Sequence, residues 1–416
     1  MKKLFSIVLL IALVVFSCKK DKIATPSNSE IISDSLEVIR VNLGNELGVV
    51  IPSISVYIQS PEETMFATSS ESGMPRITPD TYFRFASNSK NFTSTAILNM
   101  MEDGWLNIYD FISDTIPGMN ISYVPSTEIW DIPHKNQITI EQLLQHSAGV
   151  YDVDNDEVPN CDGLSYVNFT MRNNPDHQFH VDELVEQLST YNLSYWEPGY
   201  SHHYSNTGYS ILSEIISRVY SEHAGSEKTF KDYLYDFVYG PGSVVPVGVN
   251  FPDLASEQNL PDPHALGNMY APANEGGHVI YDASNMSAHV AEGNGYGTFE
   301  YLNTYVRSLM TANNVLDSET VKLMQTDYSP DTSGSSHYAL GCTTTPKLGF
   351  GHNGEIRGYL SIMAYDPVHE VSIVVMMNSV NYINHDDYIT NFKGMYKAAW
   401  KAREMMGYPG DPSLMQ

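Results

Sequence analysis

The sequence predicts an α+β fold, because strand patterns lie near both ends of the chain and helical patterns lie between them. Alternating apolar residues at 52–59 and 64–69 indicate two strands joined by a Pro-Glu-Glu turn. Apolar stretches at 359–366 and 371–378 indicate a second hairpin near the other end. Helical patterns fill much of the sequence between these hairpins, which is typical of the α+β class.

Length and charge limit the functions to be considered. A chain of 416 residues is long enough for one large or two medium domains with a buried core and a cleft. The formal net charge of -27 argues against nucleic acid as a partner, since phosphates are bound by basic surfaces.

The first residues are typical of an export signal. Two lysines precede an apolar run at 4–16 that is too short for a stable membrane span, and residues 13–18 resemble a bacterial lipobox ending in Cys18. We therefore expect a lipoprotein signal peptide at 1–17, lipidation of Cys18 and a tether at 18–31 that holds the protein at the cell envelope. The alternative is an ordinary signal peptide with an incidental cysteine.

The chain after the tether leads through predicted strands into a helix. An amphipathic helix is expected at 32–47, followed by the first hairpin, and residues 78–86 run as extended chain toward Ser87. Residues 93–104 are apolar on most faces and end at a glycine, as expected for a buried helix. Ser87 is thereby predicted at the N-terminus of a helix.

Ser87 and Lys90 are the first candidate catalytic pair. Residues three apart share a helix face, so the hydroxyl of Ser87 and the amine of Lys90 are expected to meet. A desolvated amine can activate a hydroxyl for attack on a carbonyl, and a helix N-terminus favours the negative charge that develops. The same spacing also occurs at Ser17-x-x-Lys20 in the leader. The alternative is that Ser87 caps the helix and Lys90 is a solvated first-turn residue.

The middle of the chain has one well-marked short helix and a long polar stretch. Residues 138–149 predict a helix capped by Thr139, with His146 in a structural role and its ring bonded inside the helix-end turn. Residues 150–197 are expected to form loops beside a cleft. His177 and His180 lack further ligands at a suitable spacing, so no metal and no cofactor are predicted.

Tyr204 and Asn206 lie just before a strongly apolar helix. The stripe of that helix runs from Leu212 to Val219 at helical spacing. A loop that enters such a helix can direct two polar side chains into a cleft. The alternative is that the tyrosine only packs its ring while Asn206 caps the helix.

The last third predicts a return to strands. Residues 221–295 carry no clear pattern, Thr298 is expected to cap a helix at 299–312, and short strands are predicted at 336–343 and 349–352. His352 either lines a site or simply ends a strand. A final helix is expected from about 387 to 405.

Two further thiols, Cys161 and Cys342, could form a disulfide in an exported protein, but nothing in the sequence predicts that they are close.

Three short patterns in this order resemble the serine β-lactamase and DD-peptidase superfamily. They are Ser87-x-x-Lys90, Tyr204-x-Asn206 and His352-x-Gly354, supported by residues 139–149 and by Glu197-Pro198-Gly199. The most similar branch contains class C β-lactamases, soluble DD-carboxypeptidases and related esterases. The resemblance covers about residues 35–405.

The resemblance implies a β-lactamase/transpeptidase-like architecture within one domain at 32–405. An antiparallel sheet flanked by helices would come from about 32–86 and 299–405. An inserted, mainly helical part would come from about 87–298, with the site at the junction.

The resemblance also implies roles for individual residues. Ser87 would be the acylated nucleophile, Lys90 its base and Tyr204 the group that passes a proton to the leaving group. Asn206 would orient Lys90 and the substrate amide, and His352 would complete the polar network.

The resemblance also implies which groups bind the substrate. The backbone N–H groups of Ser87 and Glu355 would form the oxyanion hole, and Asn353, Gly354 and Arg357 would contact the substrate. Replacing Lys90 by alanine should then lower acylation while leaving folding nearly intact.

Departures from the family pattern bear on the substrate. Position 352 is His where most β-lactamases have Lys, which favours a peptidase or esterase. Asn353 replaces the usual Thr, Ser or Gly. Glu355 should disfavour substrates with a free carboxylate unless Arg357 offsets its charge. The expected function is a serine hydrolase acting on small peptides, amides or esters, most similar to a D-alanyl-D-alanine carboxypeptidase or related esterase. The alternatives are a β-lactamase and a non-catalytic binding lipoprotein with the same fold.

Overall fold

The computed structural model describes residues 27–330 and 337–410. Cys18, the predicted signal peptide and the first part of the predicted tether lie outside these residues. The helices are α1 (Asn28–Leu47), α2 (Ser89–Glu102), α3 (Ile140–Leu144), α4 (Tyr166–Asn173), α5 (Val181–Tyr191), α6 (Asn206–Ala224), α7 (Phe230–Tyr233), α8 (Phe299–Met310), α9 (Ser318–Thr326) and α10 (His385–Met405). The strands are β1 (Ser53–Gln59), β2 (Thr64–Ser70), β3 (Phe83–Arg84), β4 (Gly267–Tyr270), β5 (His278–Tyr281), β6 (Tyr296–Gly297), β7 (His337–Tyr338), β8 (Thr343–Thr345), β9 (Gly349–Ile356), β10 (Tyr359–Asp366), β11 (Val371–Met377) and β12 (Ser379–Asn381).

A seven-stranded antiparallel sheet joins the two ends of the chain, in the order β2-β1-β11-β10-β9-β8-β7. Both predicted hairpins are present, with Ser53 opposite Ser70 in the first and Asp366 opposite Val371 in the second. β1 pairs with β11, so strands more than 300 residues apart are direct neighbours in the sheet. The predicted α+β class and the sheet built from both chain ends are confirmed.

The central strands are buried on both faces, which explains their continuous apolar sequences. In β11, Ile373 and Val375 face the core formed with α1 and α10, whereas Val374 and Met376 face the larger core on the side of α8. β10 and β11 therefore form a rigid base for the elements next to them.

The first helix begins earlier than predicted. α1 begins at Asn28 rather than at residue 32, because Ser27 and Glu30 form a reciprocal capping box ahead of the apolar stripe. Residues 28–31 are thus part of α1 and not of the tether.

The middle of the chain is helical only in its first half. The helices α2 to α7 lie between residues 89 and 233, and a π-helical stretch, Leu234–Tyr239, follows them. Residues 240–297 contain loops, two short 3₁₀ turns and the strands β4, β5 and β6, of which β4 and β5 form a small sheet with β12. The prediction of a mainly helical part through residue 298 was wrong for this stretch.

Several local predictions are confirmed. Thr139 caps α3 through a capping box with Gln142, and Thr298 caps α8.

Cys161 and Cys342 are both buried free thiols, so they do not form the disulfide left open by the sequence. Among the described residues, none of the helices combines the length and the apolar character needed to cross a membrane.

Candidate active site

Ser87 lies in a 3₁₀ turn, Ala86–Asn88, that connects β3 to α2. Ala86 has a φ of 50°, a left-handed conformation that costs energy for a residue with a side chain and that recurs at functional turns. Asn88 holds the turn, since its Nδ2 donates to the carbonyl oxygen of Phe85 and to Ser361 Oγ, each at 2.8 Å. Asn88, not Ser87, occupies the N-cap of α2, so the capping role considered for Ser87 is excluded.

Lys90 is fully buried beneath Ser87, which excludes the solvated alternative. Its Nζ donates to Ser87 Oγ at 3.2 Å, to Asn206 Oδ1 at 2.7 Å and to the carbonyl oxygen of Glu292 at 2.8 Å. It also lies 3.2 Å from Glu292 Oε2. The amine is therefore held against the hydroxyl by three acceptors from two distant segments.

Tyr204 reaches the same hydroxyl from the start of α6. Ser205 caps this helix by accepting from the N–H of Gly208, which leaves Asn206 free to contact Lys90 instead of capping. The phenol of Tyr204 also interacts with Ser87. Burial raises the pKa of Tyr204 well above its ordinary value, although the interaction with Ser87 acts in the opposite direction. The phenol consequently keeps its proton at neutral pH.

His352 and His146 are joined through one tyrosine. The Tyr338 hydroxyl lies 3.0 Å from Nε2 of each imidazole. The other nitrogen of His352 is bonded to the carbonyl oxygen of Asn353. His352 lines the cleft, and its ring centroid lies 6.5 Å from that of Tyr204, the residue that interacts with Ser87.

Both imidazoles are neutral. Burial and, to a lesser extent, Lys90 lower the pKa of His352 to about 3, and the same causes lower the pKa of His146 well below its ordinary value. The N–H of Ser205 donates to Nδ1 of His146, whose ring packs 4.1 Å from that of Tyr204. These contacts agree with a structural role for His146, but its ring is bonded to Tyr338 and Ser205 and not inside the helix-end turn as predicted.

The end of β9 approaches the turn of Ser87 along a free edge. β10 pairs with β9 from Phe350 to Ile356, whereas β8 covers only Gly349 to Gly351. A Cβ at Gly354 would lie 2.2 Å from the carbonyl oxygen of Phe85, so only glycine permits this approach. The geometry accounts for the glycine of the His-x-Gly pattern.

A cleft of about 640 Å³ opens above these groups. Seven of the residues singled out from the sequence line it, namely Ser87, Tyr204, Asn206, His352, Asn353, Glu355 and Arg357. Lys90 lies below the floor of the cleft. Gly354 allows the backbone of β9 to come close to the turn of Ser87. Three patterns separated by more than 100 residues each are thus brought to one space.

A buried ionic cluster beside Lys90 was not predicted. His289 Nδ1 lies 2.6 Å from Glu292 Oε1 and 3.4 Å from Asp154 Oδ2, and Asn206 Nδ2 donates to Asp154 Oδ2 at 2.7 Å. The two carboxylates therefore hold the two residues, Lys90 and Asn206, that surround Ser87.

The charges in the cluster follow from its contacts. Burial alone would lower the pKa of His289, but Asp154 and Glu292 outweigh it and raise that pKa to about 10. The pKa of Asp154 is lowered, because His289 and Asn206 outweigh the effect of burial. Neighbouring Asp152 has its pKa raised to about 7 by burial and by Asp154. The cluster is a protonated imidazole between two carboxylates.

These residues also form a possible set of metal ligands. Donor atoms of Asp154, His289 and Glu292 all lie within 4.8 Å of one another. However, Lys90 and Asn206 already donate to the two carboxylates. A cation would have to displace a protonated imidazole and meet the Lys90 amine, so the donor set fits an ion-pair cluster better than a metal site.

We expect replacement of His289 by glutamine to flatten the pH dependence of stability between pH 7 and 9. The pKa of His289 is about 10 in the folded protein against an ordinary 6.5, so its stabilisation is complete below about pH 6.5 and is lost as the pH rises toward 10. The native protein should lose up to about 1.4 kcal/mol of unfolding free energy per pH unit from this group. Urea unfolding at pH 7, 8 and 9 measures the difference.

The control for this prediction is His177→Gln, which removes a partly exposed histidine bonded to Glu183 Oε2 at 2.9 Å. It should leave the slope close to that of the native protein. Parallel slopes for the native protein and His289→Gln would show that the imidazole does not hold its proton in the fold.

Comparison with known proteins identifies the family. A model of the family described as Beta-lactamase matches residues 47–391, which is most of the chain. The chain belongs to the beta-lactamase family. The resemblance inferred from the three short patterns is therefore confirmed.

Solved structures of this superfamily share the fold. The D-amino acid amidase from Ochrobactrum anthropi SV3, complexed with L-phenylalanine amide, matches with a TM-score of 0.68 at 19% identity, over 90% of this chain and 99% of that one. The D-stereospecific amidohydrolase from Streptomyces sp. matches with a TM-score of 0.66 at 20% identity, over 85% and 95%. A penicillin-binding protein from Bacillus halodurans matches with a TM-score of 0.60 at 18% identity, over 84% and 97%.

Curated relatives match over shorter stretches. Protein flp of Staphylococcus aureus strain NCTC 8325 / PS 47 is 30% identical over 144 residues, which is 35% of this chain but only 24% of that protein. Penicillin-binding protein 4* of Bacillus subtilis strain 168 is 27% identical over 193 residues, 45% of this chain and 34% of that protein. These alignments leave most of each relative uncovered.

Proposed function

We propose that the protein is a serine hydrolase that cleaves amide or ester bonds of small substrates through an acyl-enzyme at Ser87. The observation that carries the proposal is a single hydroxyl in contact with two proton-handling groups. Ser87 Oγ accepts a hydrogen bond from the Nζ of fully buried Lys90 at 3.2 Å and interacts with the phenol of Tyr204. This arrangement supports nucleophilic catalysis at the floor of the cleft.

In the proposed acylation, Lys90 takes the proton of Ser87 as Oγ bonds to the substrate carbonyl carbon. Asn206 Oδ1 and the two oxygens of Glu292 stabilise the ammonium so formed. When the tetrahedral intermediate collapses, the bond to the leaving nitrogen or oxygen breaks, and the proton passes through Tyr204 to that atom. Water then attacks the acyl ester, releases the acid and restores Ser87.

The remaining predicted residues are proposed to bind and position the substrate. The backbone N–H groups of Ser87 and Glu355 would hold the carbonyl oxygen, where charge develops in the transition state. Asn353, Gly354 and Arg357 would contact the substrate along the free edge of β9. Neutral His352 would support the polar wall through Tyr338.

The finer proposal for the substrate is a small peptide, amide or ester, as in a D-alanyl-D-alanine carboxypeptidase-like peptidase or a related esterase. Two of the structural neighbours are named as an amidase and an amidohydrolase, which supports amide cleavage. A second candidate is β-lactam hydrolysis, favoured by the description of the matching family. It requires fast deacylation after the same acylation step.

We also propose that the protein is exported and bound to the bacterial cell envelope through a lipid on Cys18. The support is the apolar run and lipobox pattern of the leader. Incorporation of a labelled fatty acid that is lost in Cys18→Ala would test it, and equal labelling of both forms would contradict it.

The experiment that tests the function is intact-protein mass spectrometry after incubation with four compounds. These are a penicillin, a D-Ala-D-Ala peptide, a D-amino acid amide and a short-chain ester. At least one should add an acyl mass that peptide mapping locates at Ser87. Rapid turnover of the penicillin favours the β-lactamase, whereas a stable penicilloyl adduct favours the peptidase. No adduct with any of them or with a fluorophosphonate would favour a non-catalytic binding protein.

A further inference from the structure

One wall of the cleft combines a carboxylate with aromatic rings. Glu355 at the end of β9 lies beside Tyr382, which follows β12, and beside Tyr388 and Phe392 of α10. Met269 of β4 also lines the cleft. This group, here called the aromatic wall, is separate from the cluster that holds Lys90.

Glu355 forms no ion pair within the part of the chain that the structure describes. Among residues 27–330 and 337–410, no lysine, arginine or histidine nitrogen forms an ion pair with it, and its described hydrogen bond is donated by the Tyr382 hydroxyl. Burial, Asp154 and Glu292 raise the pKa of Glu355 to about 7, while His289 and Arg357 act in the opposite direction. A half-buried carboxylate in this position gains most from a positive charge brought by a ligand.

The aromatic rings complete a site for such a charge. The rings of Tyr382 and Tyr388 stack with centroids 5.8 Å apart and planes 13° apart, and Tyr388 contacts Phe392 at 5.4 Å. Aromatic faces attract organic cations, and their area also covers an apolar stem. The carboxylate and the rings therefore favour the same kind of group.

The nearby arginine is directed elsewhere. Arg357 Nη2 lies 3.3 Å from Asn168 Oδ1 and 3.1 Å from Met171 Sδ, on the side of α4. It lines the cleft together with Glu355 and forms no ion pair with it. A substrate carboxylate on Arg357 would have to lie close to Glu355 and Asp154, whose charges oppose it.

We propose that the aromatic wall binds an ammonium or guanidinium group of the substrate, carried on an apolar stem, with Glu355 as its counterion. The inference rests on the proposed acyl-enzyme function and names the substrate class for that same site. It makes Glu355 a specificity-determining residue. Amides and esters that carry a cation should be preferred over matched neutral and anionic compounds.

The test uses three p-nitrophenyl esters of similar length, the 6-aminohexanoate, the heptanoate and the monoester of adipic acid. In the native protein kcat/KM should fall in the order cationic, neutral, anionic. In Glu355→Gln the ratio of cationic to neutral kcat/KM should fall about tenfold or more, the effect of losing one charge-assisted hydrogen bond. The matched control is Glu141→Gln, since burial and Asp327 raise the pKa of that carboxyl to about 7 as well, outside the cleft. It should keep the native ratio.

The outcomes separate this inference from the proposed function. Failure of Ser87 to react with a neutral fluorophosphonate would refute the function itself. Normal reaction with the fluorophosphonate, together with a native preference for the anionic ester, would refute the inference and favour Arg357 as the binding group. An unchanged ratio in Glu355→Gln would also refute it. The ranking in the native protein remains decisive if that variant does not fold.

Discussion

Replacing Ser87 by alanine is expected to remove the covalent adduct and to lower kcat/KM by a factor on the order of 10⁴ or more. The variant lacks the oxygen that contacts Lys90 Nζ and interacts with the Tyr204 phenol. What remains is binding and polarisation of the substrate, which accelerates hydrolysis much less than acylation does. Mass spectrometry of the adduct and steady-state kinetics on the best ester measure the loss.

The matched control is Ser89→Ala, two residues along the same segment. Ser89 Oγ donates to the carbonyl oxygen of Ala86 at 2.7 Å and accepts from the N–H of Gly295 at 2.9 Å. It is therefore a structural hydroxyl, and its loss should lower thermal stability while the adduct still forms at Ser87. If the adduct persisted in Ser87→Ala, or was lost only in Ser89→Ala, Ser87 would not be the nucleophile.

The candidate site residues could be predicted from the sequence because three short patterns, each weak by itself, occur together in an order that resembles a known superfamily. Lys90 follows Ser87 by one helical turn, and Tyr204 and Asn206 directly precede an apolar helix. His352 precedes a glycine whose missing side chain allows β9 to approach the turn of Ser87. Short spacings and glycine requirements involve only a few neighbouring residues, so they can be recognised in the sequence without a structure.

The ionic cluster was not accessible in this way. Lys90 and Glu292 are 202 residues apart, and Glu292 lies in the part of the chain with no periodic pattern. The three-residue spacing of His289 and Glu292 was the only local signal, and such spacing is common on surfaces. Its meaning depends on burial and on Asp154, which only the folded chain supplies.

Element boundaries failed for related reasons. α1 begins at Asn28 because a capping box outweighs the polar composition of the segment before residue 32. Residues 240–297 are held by long-range contacts, such as the pairing of β4 with β12. Such contacts leave no periodicity in the sequence, so a helical or strand pattern could not be read there.

Replacing Lys90 by methionine is expected to lower acylation by a factor on the order of 10³, within the range of general-base contributions. Methionine keeps much of the buried volume but removes the amine that contacts Ser87 Oγ. The expectation that Lys90→Ala leaves folding nearly intact is revised by the structure. Lys90 is fully buried and donates to Asn206 and Glu292, so truncation creates a cavity and leaves three buried acceptor atoms without their donor.

The double variant Lys90→Met, Glu292→Gln separates catalysis from stability. Lys90→Met alone leaves the Glu292 carboxylate without the amine that lies 3.2 Å away, which should lower the unfolding free energy by about 1–3 kcal/mol. Neutralising Glu292 should recover part of that loss, as measured by urea unfolding. The acylation rate should stay low, because the double variant still lacks the Lys90 amine that would act as the base. If the double variant regained activity together with stability, Lys90 would act by holding the fold and another group would be the base of Ser87.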